Sequence, residues 1–232
     1  MRGGSSKPGR RVLGRYDYPT KFRVFEVASV ACFAVFFVAF GFRILAEVSD
    51  RFALEVMGGV VAVCVLAFVT ADFLSGLVHF LCDNLGSPDT PVLGQKFIKA
   101  FREHHDDPVA MTEGGFVEVN ADNFFVCLPV LIPSVVWLDV NHHLYLAAYL
   151  AILMVFVTIT NEVHKWAHVV DVPPVMRRLQ STPLFLGPEG HRRHHTAPYE
   201  SHYCITSGVL NPILARTRFW HGLLRLCRRP QP

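Results

Sequence analysis

The chain has 232 residues, is 51% hydrophobic and carries a formal net charge of +3, with a mean hydropathy of +0.32. A water-soluble domain of this length is usually more polar, and here the apolar residues fall in blocks of the length that crosses a bilayer. This excludes a soluble globule, and no stretch resembles a nucleic-acid-binding module. The small net charge says less than its distribution along the chain.

Residues 1–24 are basic, with Arg2, Lys7, Arg10, Arg11, Arg15, Lys21 and Arg23. They are expected to form a flexible cytosolic tail rather than a targeting peptide. No secretory signal is evident, because the first apolar run starts late and is too long. Four spans are expected, near residues 25–46, 54–81, 124–140 and 144–163. Arg43 interrupts the first near its end, Asp72 lies inside the second, and Pro129 and Pro133 are expected to kink the third. Residues 79–122 and 164–208 form two histidine-bearing polar regions. Residues 209–229 alternate basic residues with Phe219, Trp220, Leu223, Leu224 and Leu226, as in a helix lying in the headgroup region. The expected fold is therefore all-α: a polytopic membrane domain over residues 25–232. The six cysteines show no CxxC spacing and are expected to be small buried hydrophobes without disulfides.

Of the 22 Lys and Arg, only Arg43 and Arg51 lie at or between the first two spans, and none lies between the third and fourth. The positive-inside rule then puts both termini, and every histidine group but one, in the cytosol. The exception is His142 and His143, which land on the far side and are excluded as ligands.

The remaining histidines form the chemical signal. Asp72, Gly76, His79 and Asp83 are spaced to share one helix face. His79 and Asp83, one turn apart, suit one metal. An intramembrane Asp is a functional hypothesis by default, and Asp72 is expected to accept a hydrogen bond from a ligand N–H. His104 and His105 diverge by about 100° on a helix and suit two different metals. Asn120, Asp122 and Asn123 either hydrogen-bond ligands or cap a helix. Asn161, His164 and His168 share a face, while Glu162 points elsewhere and fits a structural role. Lys165 and Trp166 fit an interface anchor. His191, His194 and His195 form HxxHH, whose spacing gathers three imidazoles on one side of a helix.

Imidazole is the commonest metal-binding side chain. These groups exceed what one tetrahedral zinc needs and suit two metal ions at a membrane face. Iron, copper and zinc are all compatible with such ligands. A two-iron site fed by an external electron donor can activate O₂ and oxidise an unactivated C–H bond. Arg102, Lys165, Arg192 and Arg193 lie near the ligands, either contacting a lipid phosphate or serving as positive-inside charges. Other classes are a membrane haem electron carrier, a zinc hydrolase and a non-enzymatic adaptor. The first leaves most of the cluster unexplained, and the second lacks a Glu inside the HxxxH.

Four stretches carry a closer resemblance: ADFLSGLVHFLCDNLGS (71–87), PVLGQKFIKAFREHHDDPVAMT (91–112), NEVHKWAH (161–168) and HRRHHTAPYESHYCITSG (191–208). They resemble the Kua-type lipid desaturases within the membrane fatty-acid desaturase–hydroxylase superfamily. The branch includes plasmanylethanolamine desaturases and a plant chloroplast fatty-acid desaturase. The resemblance implies two irons held by His79, Asp83, His104, His105, His164, His168, His191, His194 and His195, with Asp72, Asn123 and Asn161 as candidate supports behind them. It also implies vinyl ether formation in the sn-1 alkyl chain of an ether phospholipid at the endoplasmic reticulum, using O₂ and electrons from cytochrome b5. An acyl-lipid desaturase is the alternative within the family. Tyr199 stands where the animal-type pattern has a histidine, as in the plant form, and His202 lies close by.

Overall fold

The computed structural model describes residues 20–51, 54–91 and 94–227. Residues 1–19 of the expected flexible tail lie outside them, while residues 20–24 are helical and open the first span. The described residues form helices and connecting turns without strands. In chain order the helices are α1 (Thr20–Asp50), α2 (Leu54–Asn84), α3 (Lys99–Asp106), α4 (Phe116–Trp137), α5 (Leu144–His168), α6 (Pro174–Gln180), α7 (Pro188–Arg192), α8 (Asn211–Arg216) and α9 (Phe219–Cys227), with a π-turn at Gly94–Ile98 leading into α3 and a 3₁₀ turn at Ala110–Glu113. α1, α2, α4 and α5 contain windows of mean hydropathy 1.6 to 2.2 and are long enough to cross a membrane.

α1 packs on α4, α4 on α5, and α2 on α5. Phe33 and Phe40 of α1 meet Cys127 and Leu131 of α4 and Ala147, Ala151 and Met154 of α5 in the main core. The small alanines let α5 approach its neighbours. Large apolar side chains such as Val35, Phe42, Val61, Val65, Val130 and Val155 remain outside the core. Exposed apolar surface of this extent suits lipid rather than water.

The ends of the long helices matter most. α2 runs on to Asn84 and α5 to His168, so His79, Asp83, His164 and His168 sit on their last turns. α4 begins at Phe116, not at Phe124, because Glu118 accepts the Gly115 N–H at 3.3 Å and closes the first turn. Pro129 and Pro133 lie inside α4 without ending it. A membrane helix can tolerate proline in this way, and Ser134, next to Pro133, adds a bond from its hydroxyl to the Val130 carbonyl at 2.8 Å. Arg43 of α1 donates to the Val135 and Leu138 carbonyls. It thus caps the C-terminal end of α4, which explains a charge within an apolar run.

The C-terminal segment differs from the expected single surface helix. Arg218, at φ 53°, separates α8 from α9. Trp220 is only 2% exposed, packed against Phe80 and Tyr203 rather than placed at a membrane boundary. Gly76 permits this closure. A Cβ there would meet Cys204 Sγ at 2.6 Å and the Trp220 ring at 3.1 Å. All six cysteines are unpaired.

Gly76→Val should therefore destabilise the protein by about 1–3 kcal/mol, the usual range for overpacking. Gly58→Val, where a Cβ has nothing within 4 Å, should have little effect. Thermal unfolding of the detergent-purified variants measures the contrast.

Candidate metal centre

Four segments meet at one end of the bundle: the end of α2, α3, the end of α5, and α7 with the turn after it. They bring all nine expected ligands into two groups. His104, His164, His168, His191 and His195 form one; His79, Asp83, His105 and His194 form the other. Within each group the candidate ligand atoms lie within 4.8 Å of one another. His142 lies at the opposite end of α5, exposed and paired with Asp139 at 2.8 Å.

The helix spacings explain part of this arrangement. His79 and Asp83 share a turn and a group, as do His164 and His168. The adjacent pair divides as neighbours on a helix must: His104 faces the five-histidine group and His105 the other. The HxxHH triplet also divides, contrary to expectation. α7 ends at Arg192, and the following turn sends His194 to the second group while His191 and His195 stay in the first.

The ring nitrogens show what the groups are built to hold. His191 Nε2 lies 2.8 Å from His164 Nε2, 2.8 Å from His168 Nε2 and 3.0 Å from His195 Nε2. A neutral imidazole has one N–H and one lone pair, so a single nitrogen cannot pair properly with three others. In the second group Asp83 Oδ2 is 3.0 Å from His105 Nε2, 3.4 Å from His79 Nε2 and 3.6 Å from His194 Nε2. His79 Nδ1 contacts the Tyr203 carbonyl at 3.2 Å, and His194 Nδ1 contacts that of Ser201 at 2.9 Å. A carbonyl only accepts, so Nδ1 must carry the proton and Nε2 turns its lone pair inward. His79 Nε2 and His104 Nε2 are buried without a hydrogen-bond partner. Converging, unprotonated nitrogens fit two metal cations and fit little else.

Burial keeps the rings of His104, His191, His194 and His195 neutral. It pushes His104 down to about 2, with His168 adding to the effect. His194 falls to about 3 and His195 to about 4, in both cases chiefly through burial. His191 is lowered by burial first and by His168 second. At neutral pH these imidazoles are unprotonated and able to ligate.

The expected supporting residues are placed differently. Asp72 is fully buried but touches no histidine. Its oxygens accept the backbone N–H groups of Ser207, Gly208 and Leu210 at 2.8 to 3.0 Å. It thereby ties down the loop that carries the Tyr203 carbonyl and acts on His79 only through that loop. Asn123 Nδ2 donates to the Val157 carbonyl and Asn161 Nδ2 to that of Val119, so both strap α4 to α5 rather than support ligands. Asn120 donates to Glu162 at 3.1 Å. Glu162 also pairs with Lys165 at 3.0 Å, which buries Lys165 instead of leaving it as an interface anchor. Arg102 donates to the carbonyls of Cys82, Leu85 and Gly86, closing the end of α2. Arg192 pairs at the surface with Glu189. The carbonyls of Tyr203 and Ser201, which orient two ligands, carry no signal in a sequence.

Comparison with known proteins agrees with this centre. The lipid desaturase domain matches residues 68–229. The chain belongs to the lipid desaturase family. It is similar to plasmanylethanolamine desaturase from Myxococcus xanthus, at 35% identity over 90% of this chain and 73% of that protein. It is also similar to plasmanylethanolamine desaturase 1 from Mus musculus, at 36% identity over 96% and 83%. Fatty acid desaturase 4, chloroplastic, from Arabidopsis thaliana is 31% identical over 67% of this chain and 48% of its own length. No solved structure matches. This lipid desaturase is therefore a multi-pass membrane oxidoreductase with two histidine-rich groups able to coordinate a di-iron centre.

Asp72 and Asp83 should respond differently to loss of charge. Asp83→Asn should lower the metal bound per chain, measured by elemental analysis. Asp72→Asn should retain the metal but lose about 1–3 kcal/mol of stability, because one of its donors then faces an N–H instead of an acceptor.

Proposed function

We propose that this protein is a plasmanylethanolamine desaturase, which introduces the vinyl ether double bond into the sn-1 alkyl chain of an ether phospholipid. The observation that carries the reading is the pairing of the two ligand groups with an apolar cavity. The cavity has a volume of about 540 Å³ and lies between α2, α4 and α5. It is lined by aliphatic side chains such as Val78, Val126, Leu153 and Met154. Ser75, Thr160 and Phe101 also line it, and Phe101 packs on the His79 ring at 5.0 Å. Ser75 and Thr160 sit one turn before His79 and His164. A hydrocarbon chain in this cavity would bring its first carbons beside the ligands, with its polar head next to them at the membrane surface and its tail running away from the centre. High coverage by two plasmanylethanolamine desaturases favours the alkyl-ether substrate.

Two irons held by His79, Asp83, His104, His105, His164, His168, His191, His194 and His195 would supply O₂ activation. O₂ takes one electron pair from the substrate's C–H bonds and another from an external donor, and leaves as water. Cytochrome b5 is the proposed donor, and the endoplasmic reticulum, with both termini and the centre cytosolic, the proposed location. The protein's own part is positional. The cavity walls hold the chain and exclude water. The carbonyls of Tyr203 and Ser201 hold His79 and His194 in one tautomer. An acyl-lipid substrate is the second reading, favoured by the similarity to the chloroplast desaturase.

Expression in plasmalogen-free cells supplied with alkyl-ether lipids tests the reading. New acid-labile ethanolamine lipids, two hydrogens lighter than their precursors, are expected by mass spectrometry. His104→Ala and His194→Ala should each abolish them while the protein still inserts in the membrane; full activity in both would overturn the metal assignment. A new double bond in the acyl chains, with no vinyl ether, would favour the acyl reading. Leu153→Trp should obstruct the cavity and lower turnover without loss of bound metal.

A further inference from the structure

We infer that a second, polar pocket beside the metal centre receives the zwitterionic phosphoethanolamine headgroup, with Glu200 as the residue that selects ethanolamine over choline. The inference rests on the vinyl ether reading above. In that reaction the oxidised carbons adjoin the ether oxygen, so the glycerol and headgroup must lie only a few bonds from the metals. The pocket has a volume of about 290 Å³, and Asp83 and His105 form part of its wall. Whatever fills it lies against the ligands. α3 contributes to both cavities: Ala100 and Phe101 line the apolar one, Arg102 and His105 the polar one.

The other lining residues present both signs of charge. Arg102 is held by the carbonyls that close α2, which fixes its guanidinium in the pocket wall as a partner for phosphate. Glu200 lines the same pocket, oriented by His221 at 3.3 Å and still partly open to solvent. Tyr199 stands beside it at φ 62°, a conformation rarely adopted by a bulky residue. The residue is 44% exposed, and its ring lies 5.4 Å from that of His105. The Tyr203 hydroxyl donates to the Tyr199 carbonyl at 2.8 Å and holds it there. An exposed aromatic face held in a strained backbone beside a carboxylate suits an alkylammonium group. A primary ammonium can donate hydrogen bonds to Glu200. A trimethylammonium cannot, so the carboxylate discriminates between the two.

The test gives membranes containing the full chain equal amounts of two alkyl-ether phospholipids, alike except for ethanolamine or choline, and measures both vinyl ether products. The wild type should prefer ethanolamine. Glu200→Gln keeps the shape and should reduce that preference roughly tenfold, the scale of one hydrogen bond to a charged group. Misfolding would lower both products together, so their ratio reports selection. No wild-type preference, or an unchanged ratio in Glu200→Gln, would overturn the inference. In parallel, the purified chain is titrated with glycerophosphoethanolamine and glycerophosphocholine. Tighter binding of the former, weakened in Glu200→Gln, is expected; equal binding of the two would again overturn it. If correctly inserted protein converts neither lipid to a vinyl ether, the reading of the reaction fails, and the titration still decides the pocket.

Discussion

The structure depends on one electrostatic constraint: ring nitrogens of buried histidines converge, lone pairs inward, on two points. His79, His191 and His194 are almost completely buried, and their Nε2 atoms converge with those of His105, His164 and His168. Such lone pairs repel, and burial removes the water that would relieve them. Protonation would replace lone-pair repulsion with charge repulsion. Cations at the two points of convergence resolve both problems, which couples metal binding to the folded state.

Much of the rest holds that convergence in place. α2 and α5 carry ligands on their last turns, and the straps from Asn123 and Asn161 keep α4 against α5 beside them. The loop over residues 203–211 is fastened by Asp72 from α2 and by the Ser75 hydroxyl, which accepts the Ile205 N–H at 3.0 Å. That loop lays the Tyr203 carbonyl against His79. Behind it, Trp220 fills the space left by Gly76. A charge buried in a membrane helix therefore works as a loop anchor one step removed from the metal centre.

What was legible in the sequence follows from the range of the interactions involved. The spans were readable from the length of their apolar runs, and the pairs His79 with Asp83 and His164 with His168 because a helical repeat alone sets them. The division of His104 from His105 was readable for the same reason. The division of His194 from His191 and His195 was not, because it depends on where a short helix stops. Asp72 has the helical register of a ligand support, but the partners of its carboxylate lie far along the chain, at residues 207–210. Asn123 and Asn161 sit near ligands in sequence yet bond across to the neighbouring helix. The family stretches covered the centre, whereas the two cavities arise only from packing.

On the proposed function, the chain would hold two irons in unlike surroundings, one among five histidines and one among three histidines and Asp83. Mössbauer spectroscopy of the purified, ⁵⁷Fe-enriched protein, with its iron content measured on the same sample, tests it most directly. Two irons per chain and two distinguishable iron environments in equal amounts are expected. A single iron per chain, or active protein containing zinc in place of iron, would contradict it.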